Sequence, residues 1–318
     1  MQDYQLLDRI GSGSFGKVWK ALRKSDNKIV ALKKVDYSRM GYTEKQFLVN
    51  EVNILRKLQN EHVVRYLDRI VEKDKKIINI VMEYCPGGDL QSFIRKTRAD
   101  RSYIDEDQIW LSLTELALAL KDCHCGDEKI LHRDIKPGNI FIDDAGHVKL
   151  GDFGLARSLT TDFAKTFVGT PYYMCPEITK NNCYNEECDI WALGCVIYEM
   201  AALEPPFKGY NQESLKRNIL NSPVTRFSSR YSDALWKVVS WMLEKDPRRR
   251  PNVMQILKFR NVALTVKLNK VRKELSNVRE ASAELKEKFG KLQEKSRNMD
   301  MLEARLRRGA ENLDNILI

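Results

Sequence analysis

The chain has 318 residues, of which 43% are hydrophobic, and a formal net charge of +10. That apolar share excludes a disordered chain, and the length admits one large domain or about two units. The most apolar stretch, Trp110 to Leu120, is short and broken by Ser112, Thr114 and Glu115, so no membrane span is expected. Met1-Gln-Asp-Tyr4 offers no basic region followed by an apolar core, and no secretory leader is expected. Seven irregularly spaced cysteines, an odd number, argue against a disulfide framework and for a reducing intracellular setting. Cys123-His124-Cys125 has no second Cys or His pair at zinc-site spacing and reads as structural. Residues 258–318 hold 15 Lys/Arg and 9 Asp/Glu, a local net charge of +6. Both signs are mixed along a helical pattern, which reads as a solvated helix face rather than a specific nucleic-acid surface.

In chain order, residues 4–82 read as short strands around one helix. Val18, Trp19 and Ala21 form a strand-like run after a glycine-rich turn, and Ile29 to Leu32 a second. Glu44 to Leu58 places Phe47, Leu48, Val52, Leu55 and Leu58 near helical spacing, and Ile77 to Met82 is another strand. Cys85-Pro-Gly-Gly88 breaks the pattern, after which helical segments dominate, including 106–124, 185–203 and 232–245. The predicted class is α+β: a small β-rich lobe over 4–82, a hinge over 83–88 and a helical lobe over 89–258. A helical tail over 259–318 follows. There Leu264, Leu268, Val271, Leu275, Val278, Ser282, Leu285, Phe289, Leu292, Ser296 and Met299 recur four and three apart. This is a heptad seam along about 54 Å of helix, with a phase slip of three residues to Leu302, Leu306 and Leu313 that resembles a stammer. A homodimeric coiled coil through 264–299 is expected; a helix folded back on the preceding domain is the alternative.

The chemistry lies in four segments. Gly11-Ser-Gly13-Ser-Phe-Gly16-Lys-Val18 is a glycine-rich turn between strands, where backbone amides can approach phosphates closely. A strand follows it, which excludes a dinucleotide fingerprint. Lys33 lies in the apolar strand Val30-Ala-Leu-Lys33, where burial requires a partner, and Glu51 on the next helix is the expected one. His132-Arg-Asp134-Ile-Lys136-Pro-Gly-Asn139 is followed by Asp152-Phe-Gly154. Asp134 suits orientation of an attacking hydroxyl, and Lys136 adds positive charge near a transferring phosphoryl group. Asn139 and Asp152 offer hard oxygens for Mg²⁺.

With these motifs in order, residues 4–257 resemble a two-lobed eukaryotic protein kinase domain. Within that superfamily the chain resembles the mitotic branch of the NIMA-related serine/threonine kinases. Glu44-Lys-Gln, Glu51-Val-Asn-Ile-Leu55, Val64-Arg-Tyr-Leu-Asp-Arg-Ile70, Ile80-Val-Met-Glu-Tyr-Cys-Pro-Gly-Gly-Asp-Leu90 and Phe163-Ala-Lys-Thr-Phe-Val-Gly-Thr-Pro-Tyr-Tyr-Met-Cys-Pro-Glu177 carry the resemblance. The wording of Lys136-Pro-Gly138-Asn139 is similar to fungal members. The resemblance implies Mg-ATP-dependent phosphorylation of protein serine or threonine, with Lys136 and Thr170 marking that specificity. It also implies that Gly11, Gly13, Gly16, Val18, Ala31, Lys33, Met82, Glu83, Cys85 and Phe141 line the ATP site. Leu55, His132 and Phe153 should stack in an apolar spine, Glu177 should pair with Arg250, and Asp189 should brace the catalytic loop. Thr166 and Thr170 are the phosphorylation candidates, with Arg133 placed to pair a phosphate. Protein substrates, a cell-cycle role and a nuclear or cytoplasmic location, including the spindle pole, follow by the same resemblance. Cys175-Pro-Glu177 departs from the usual Ala-Pro-Glu; cysteine is small, and no loss of function is expected.

Overall fold

Short runs rich in Val, Ile, Leu and Tyr between polar turns favour strands that pack on one another, and the N-terminal part of the chain folds as a sheet. The computed structural model describes residues 1–13, 16–126, 129–153, 171–180 and 184–314, so Thr166 and Thr170 lie outside the described residues. Strands β1 (Tyr4–Gly13), β2 (Gly16–Arg23), β3 (Lys28–Asp36), β4 (Tyr66–Glu72) and β5 (Ile77–Glu83) form an antiparallel sheet ordered β1-β2-β3-β5-β4. Helix α1 (Tyr42–Lys57) supplies Leu48 and Val52 to a core with Val35, Ile78 and Ile80. Ala21, Val30, Leu32 and Val81 form a second small core.

Beyond Glu83 the chain turns helical. Asp89 caps α2 (Leu90–Ala99), its carboxylate accepting from the Ser92 amide at 2.8 Å. Helix α3 (Glu106–His124) is apolar over most of its surface and is accordingly a central, buried element. The hairpin β6 (Ile140–Ile142) and β7 (Val148–Leu150) follows, then α4 (Pro176–Thr179) and α5 (Glu186–Ala202). Helices α6 (Gln212–Asn221), α7 (Asp233–Met242) and α8 (Val253–Lys258) complete the domain, with α3 against α5 and α8, and α5 against α7. Helix α7 ends at Met242, short of the expected Lys245. Arg250 donates to the carbonyl oxygens of Glu244 and Lys245, beyond the helix end.

The long helix α9 (Arg260–Asp314) runs through the predicted phase slip without a break. The chain divides into two compact units, Met1–Ala263 and Leu264–Ile318. The first unit reaches past the expected boundary at Lys258, because Phe259 stacks on Trp110 at 6.0 Å between ring centroids and Val262 is buried. Along the second unit the seam residues Leu264, Leu268, Val271, Leu275, Val278, Leu285, Phe289, Leu292 and Met299 are exposed. Among the described residues, no helix is long and apolar enough to cross a membrane.

Candidate active site

The loop between α3 and β6 has almost no regular hydrogen bonding of its own, so its shape must come from elsewhere. Asp189, in the first turn of α5 and fully buried, provides it. One carboxylate oxygen accepts from the His132 amide at 3.0 Å and from His124 Nε2 at 2.9 Å. The other accepts from the Arg133 amide at 3.0 Å and the Tyr184 hydroxyl at 2.7 Å. Burial works to raise this carboxyl, but the His124 and Tyr184 hydrogen bonds and the neighbouring imidazoles outweigh it and hold it below the usual aspartate range. The His132 side chain is fully buried, with Nε2 at 3.0 Å from the Gly151 carbonyl and Nδ1 at 3.3 Å from the Asp134 amide. A carbonyl only accepts and an amide only donates, so the ring is neutral with its proton on Nε2. Burial pushes its pKa down, towards that same neutral form. Its ring packs edge-on against Phe153, with centroids 4.6 Å apart, and Leu55 and Phe153 belong to the same buried core.

This frame presents Asp134. Its Oδ2 receives Lys136 Nζ at 2.7 Å and Asn139 Nδ2 at 2.8 Å. Among the described residues Oδ1 carries no hydrogen bond, which leaves one oxygen for an incoming hydroxyl. Asn139 Nδ2 also donates to the Asp134 carbonyl at 2.8 Å. With both amide hydrogens committed, the Asn139 side chain offers only its oxygen to a ligand. That oxygen and the partly exposed Asp152 carboxylate are the hard donors Mg²⁺ prefers, so the residues present fit the ion. Lys33 is buried on β3 with Nζ 2.8 Å from Asp152 Oδ1. Glu51 lies on α1, and its side chain is outside the described ones.

The sheet register brings residues expected at the nucleotide site onto one face. Val18 pairs with Lys33 across β2 and β3, and Ala31 with Met82 across β3 and β5. Gly11 opposes Val18, and Gly13 opposes Gly16 at the tip of the β1–β2 hairpin. A side chain at Gly16 would collide with the Lys34 carbonyl, 2.0 Å from where its Cβ would lie. Glu83 ends β5, its carboxylate accepting from the Arg65 amide at 2.6 Å, with Lys149 Nζ at 3.4 Å. Cys85 is buried two residues on, and burial pushes its thiol up to about 12, so it is a neutral wall. Phe141 on β6 leaves no room beside it for a side chain at Gly151, whose Cβ would lie 2.7 Å from the Phe141 ring.

The region from Pro171 onward is pinned by Glu177 on α4. Arg250 grips both carboxylate oxygens at 2.6 Å each, and also donates to the carbonyls of Glu244, Glu187 and Lys245. Burial raises the Glu177 carboxyl, and the hydrogen bonds and charge of Arg250 more than reverse it, so its pKa is lowered. Arg133 is half-buried in a left-handed conformation (φ 68°), its guanidinium 5.9 Å from the Tyr184 ring. Its Nε is buried and lacks a hydrogen-bond partner among the described residues.

A family model described as the protein kinase domain matches residues 4–260. The chain is 46% identical over 288 residues to the probable serine/threonine-protein kinase nek2 of Dictyostelium discoideum, covering 90% of this chain and 69% of that protein. It is 49% identical over 261 residues to the serine/threonine-protein kinase Nek2 of Homo sapiens, covering 80% and 59% of the two chains. Against the G2-specific protein kinase fin1 of Schizosaccharomyces pombe it is 35% identical over 339 residues, covering 100% of this chain and 46% of that one. The chain belongs to the NIMA-related serine/threonine-protein kinases.

In this NIMA-related kinase, sequence reasoning reached Asp134, Lys136, Asn139 and Asp152 but missed His124 and Tyr184. Both close the polar cluster on Asp189. His124 was visible only inside Cys123-His124-Cys125, and its hydrogen bond gives that tripeptide a structural role. Cys188 was missed as well; its Sγ donates to Glu177 Oε1 at 3.2 Å.

Proposed function

We propose that this NIMA-related kinase transfers the γ-phosphoryl group of ATP to serine and threonine hydroxyls of proteins. Asp134 Oδ1, which carries no hydrogen bond among the described residues and is held beside Lys136 and Asn139, is the observation that carries the reading. Asp134 Oδ1 accepts the hydrogen bond of the incoming hydroxyl and points its oxygen at the phosphorus. Lys136 keeps its cation at that oxygen's neighbour, where charge builds during transfer. Lys33 and the backbone of the turn containing Gly11, Gly13 and Gly16 hold the phosphates, and Glu51 positions Lys33. Val18, Ala31, Met82 and Phe141 enclose the adenine, and the backbone of Glu83 and Cys85 reads its edge. Asn139 Oδ1 and Asp152 would hold Mg²⁺, which supplies neutralisation of the phosphate oxygens when bound.

Two finer readings belong to the same enzyme. The exposed apolar seam of α9 supports homodimerisation through 264–299. The half-buried Arg133, whose Nε has no hydrogen-bond partner among the described residues, supports capture of a phosphate on Thr166, since guanidinium binds phosphate in a fork. Phe163 stands three residues before Thr166, the apolar place that the family resemblance favours in substrates, so the loop reads as a target of a second copy of the same kinase. Thr170 stays with the substrate platform. By family analogy the role is in cell-cycle control, in the nucleus or cytoplasm, with the spindle pole as its place in mitosis.

The test is transfer of labelled phosphate to a casein-type protein by the full chain, Lys33→Met and Asp134→Ala, with folding checked by thermal melts. Each variant is expected to lose about 10²–10³ or more in turnover. Phosphoamino-acid analysis should return phosphoserine and phosphothreonine. Near-normal turnover in either variant, or phosphotyrosine on the substrate, overturns the assignment.

A further inference from the structure

Two cysteines stand outside the phosphoryl-transfer machinery and yet touch. Cys175 takes the place usually held by Ala before Pro176-Glu177, and Cys188 lies in the first turn of α5. Cys175 is the N-cap residue of α4, thirteen positions before Cys188; their sulfurs are 2.7 Å apart, and the residues are 2% and 1% exposed. A disulfide needs about 2.05 Å between sulfurs, so the gap is closed by a small rotation of either side chain.

We propose that Cys175 and Cys188 are a reversible disulfide site that fastens the end of the activation segment to α5. The oxidant is a peroxide. One thiol attacks a peroxide oxygen, giving a sulfenic acid and one water. The partner sulfur then attacks the sulfenic sulfur, forming the S–S bond and expelling the hydroxyl, which leaves as a second water with the partner's proton. Two thiols lose two hydrogens and one hydrogen peroxide becomes two waters. Burial holds Cys188 as the thiol, so the first step is slow. The second is fast, because the partner is already in contact. The bond closes a ring from 175 to 188 that contains Glu177. Oxidation removes only the 3.2 Å thiol contact of Cys188 with Glu177, and leaves the two 2.6 Å bonds of Arg250 in place. The oxidised protein therefore keeps its ionic anchor and gains a covalent one.

The same atoms raise a metal reading, since Cys175, Glu177 and Cys188 bring three ligand atoms within 4.8 Å of one another. Both Glu177 oxygens are already committed to a buried guanidinium, whose charge opposes a second cation. Among the described residues, the group also lacks the fourth ligand of a structural zinc site.

The test uses the full chain. Protein is treated with hydrogen peroxide, free thiols are blocked with N-ethylmaleimide, and the tryptic digest is read by mass spectrometry without reduction. The expected product is fragment 166–180 joined to fragment 181–208 through Cys175 and Cys188, located by fragmentation because Cys183 and Cys195 share the second fragment. Dithiothreitol should return the two separate peptides, and Cys175→Ala or Cys188→Ser should abolish the link. The melting midpoint of the oxidised wild type should rise by roughly 5 °C, and that of Cys188→Ser should not. Wild-type mapping alone decides the matter if a variant fails to fold. Both cysteines recovered as maleimide adducts after peroxide, or Cys175 joined to Cys183 instead, overturns the proposal. So does one equivalent of zinc that copurifies and is lost in Cys188→Ser.

Discussion

Removing the Arg250 side chain is the most informative perturbation of the fold. Arg250 is 5% exposed and Glu177 6%, so their pair lies away from water. The fork is bidentate at 2.6 Å on both arms, and three further carbonyls depend on the same guanidinium. It also lies 5.0 Å from the Trp191 ring centroid. In Arg250→Met the carboxylate of Glu177 stays buried without its cation, which costs about 3–5 kcal/mol. For a domain of this size that lowers the melting midpoint by roughly 6–15 °C. Arg250→Lys keeps the charge but not the fork, and its midpoint should fall between the two. The pH dependence adds a sign. The Glu177 carboxyl is held below its ordinary value of 4.5, so its stabilisation is fully present above that value and is lost as pH falls through the folded one. The gap between wild type and Glu177→Gln should therefore narrow in acid. Melts followed by circular dichroism from pH 2 to 8 measure both effects. A midpoint for Arg250→Met within 2 °C of wild type at pH 7 would refute the reasoning, since buried charge cannot lose its partner at so small a cost.

The other predictions concern assembly and activation. The full chain should sediment as a dimer at micromolar concentration and Leu268→Asp/Leu275→Asp as a monomer; a monomeric wild type would remove the coiled coil. Dephosphorylated full chain with Mg-ATP should phosphorylate Thr166 faster than a 1–263 truncation at low concentration, because linkage raises the local concentration of one domain near the other to about millimolar. The truncation ends at 263 because Phe259 and Val262 belong to the domain. Equal rates for the two chains would exclude dimer-driven transfer. Asp189→Asn should cut kcat well below wild type with little change in the KM for ATP, since the residue shapes the loop and not the phosphate pocket; an unchanged kcat would remove its bracing role.

The parts of this molecule that were legible in the sequence are those written in local spacing. Asp134, Lys136 and Asn139 are separated by two and three residues, and the loop that carries them closes on itself through hydrogen bonds of equally short range. Helix α3 was legible to its ends because its apolar run and its polar flanks agree. What stayed hidden depends on contacts across the chain. His124 reaches Asp189 over 65 positions, and nothing in the composition near either residue announces the other. The contact between Cys175 and Cys188 joins the N-cap of α4 to the first turn of α5, a meeting that neither motif encodes.

The placement of strain around Asp134 explains why so many donors converge on one buried carboxylate. Arg133 and Asp152 both hold left-handed backbone angles, φ 68° and 53°, at positions where side chains rarely tolerate them. Each costs about 1–3 kcal/mol and persists only where neighbours over-determine it. For Arg133 the neighbour is Asp189, whose carboxylate takes its amide and that of His132 together. For Asp152 it is the preceding carbonyl, since Gly151 is held by His132 Nε2. His132 thus joins the two strained residues through one neutral ring: its amide is fixed by Asp189, its Nδ1 receives the Asp134 amide, and its Nε2 holds the strand leading to Asp152. A charged imidazole could not accept from the Asp134 amide, so burial that disfavours the charged ring also preserves the spacing between the Asp134 and Asp152 carboxylates. The site is therefore shaped before any substrate arrives, and the energy that shapes it is supplied from α5 and the core beneath the loop.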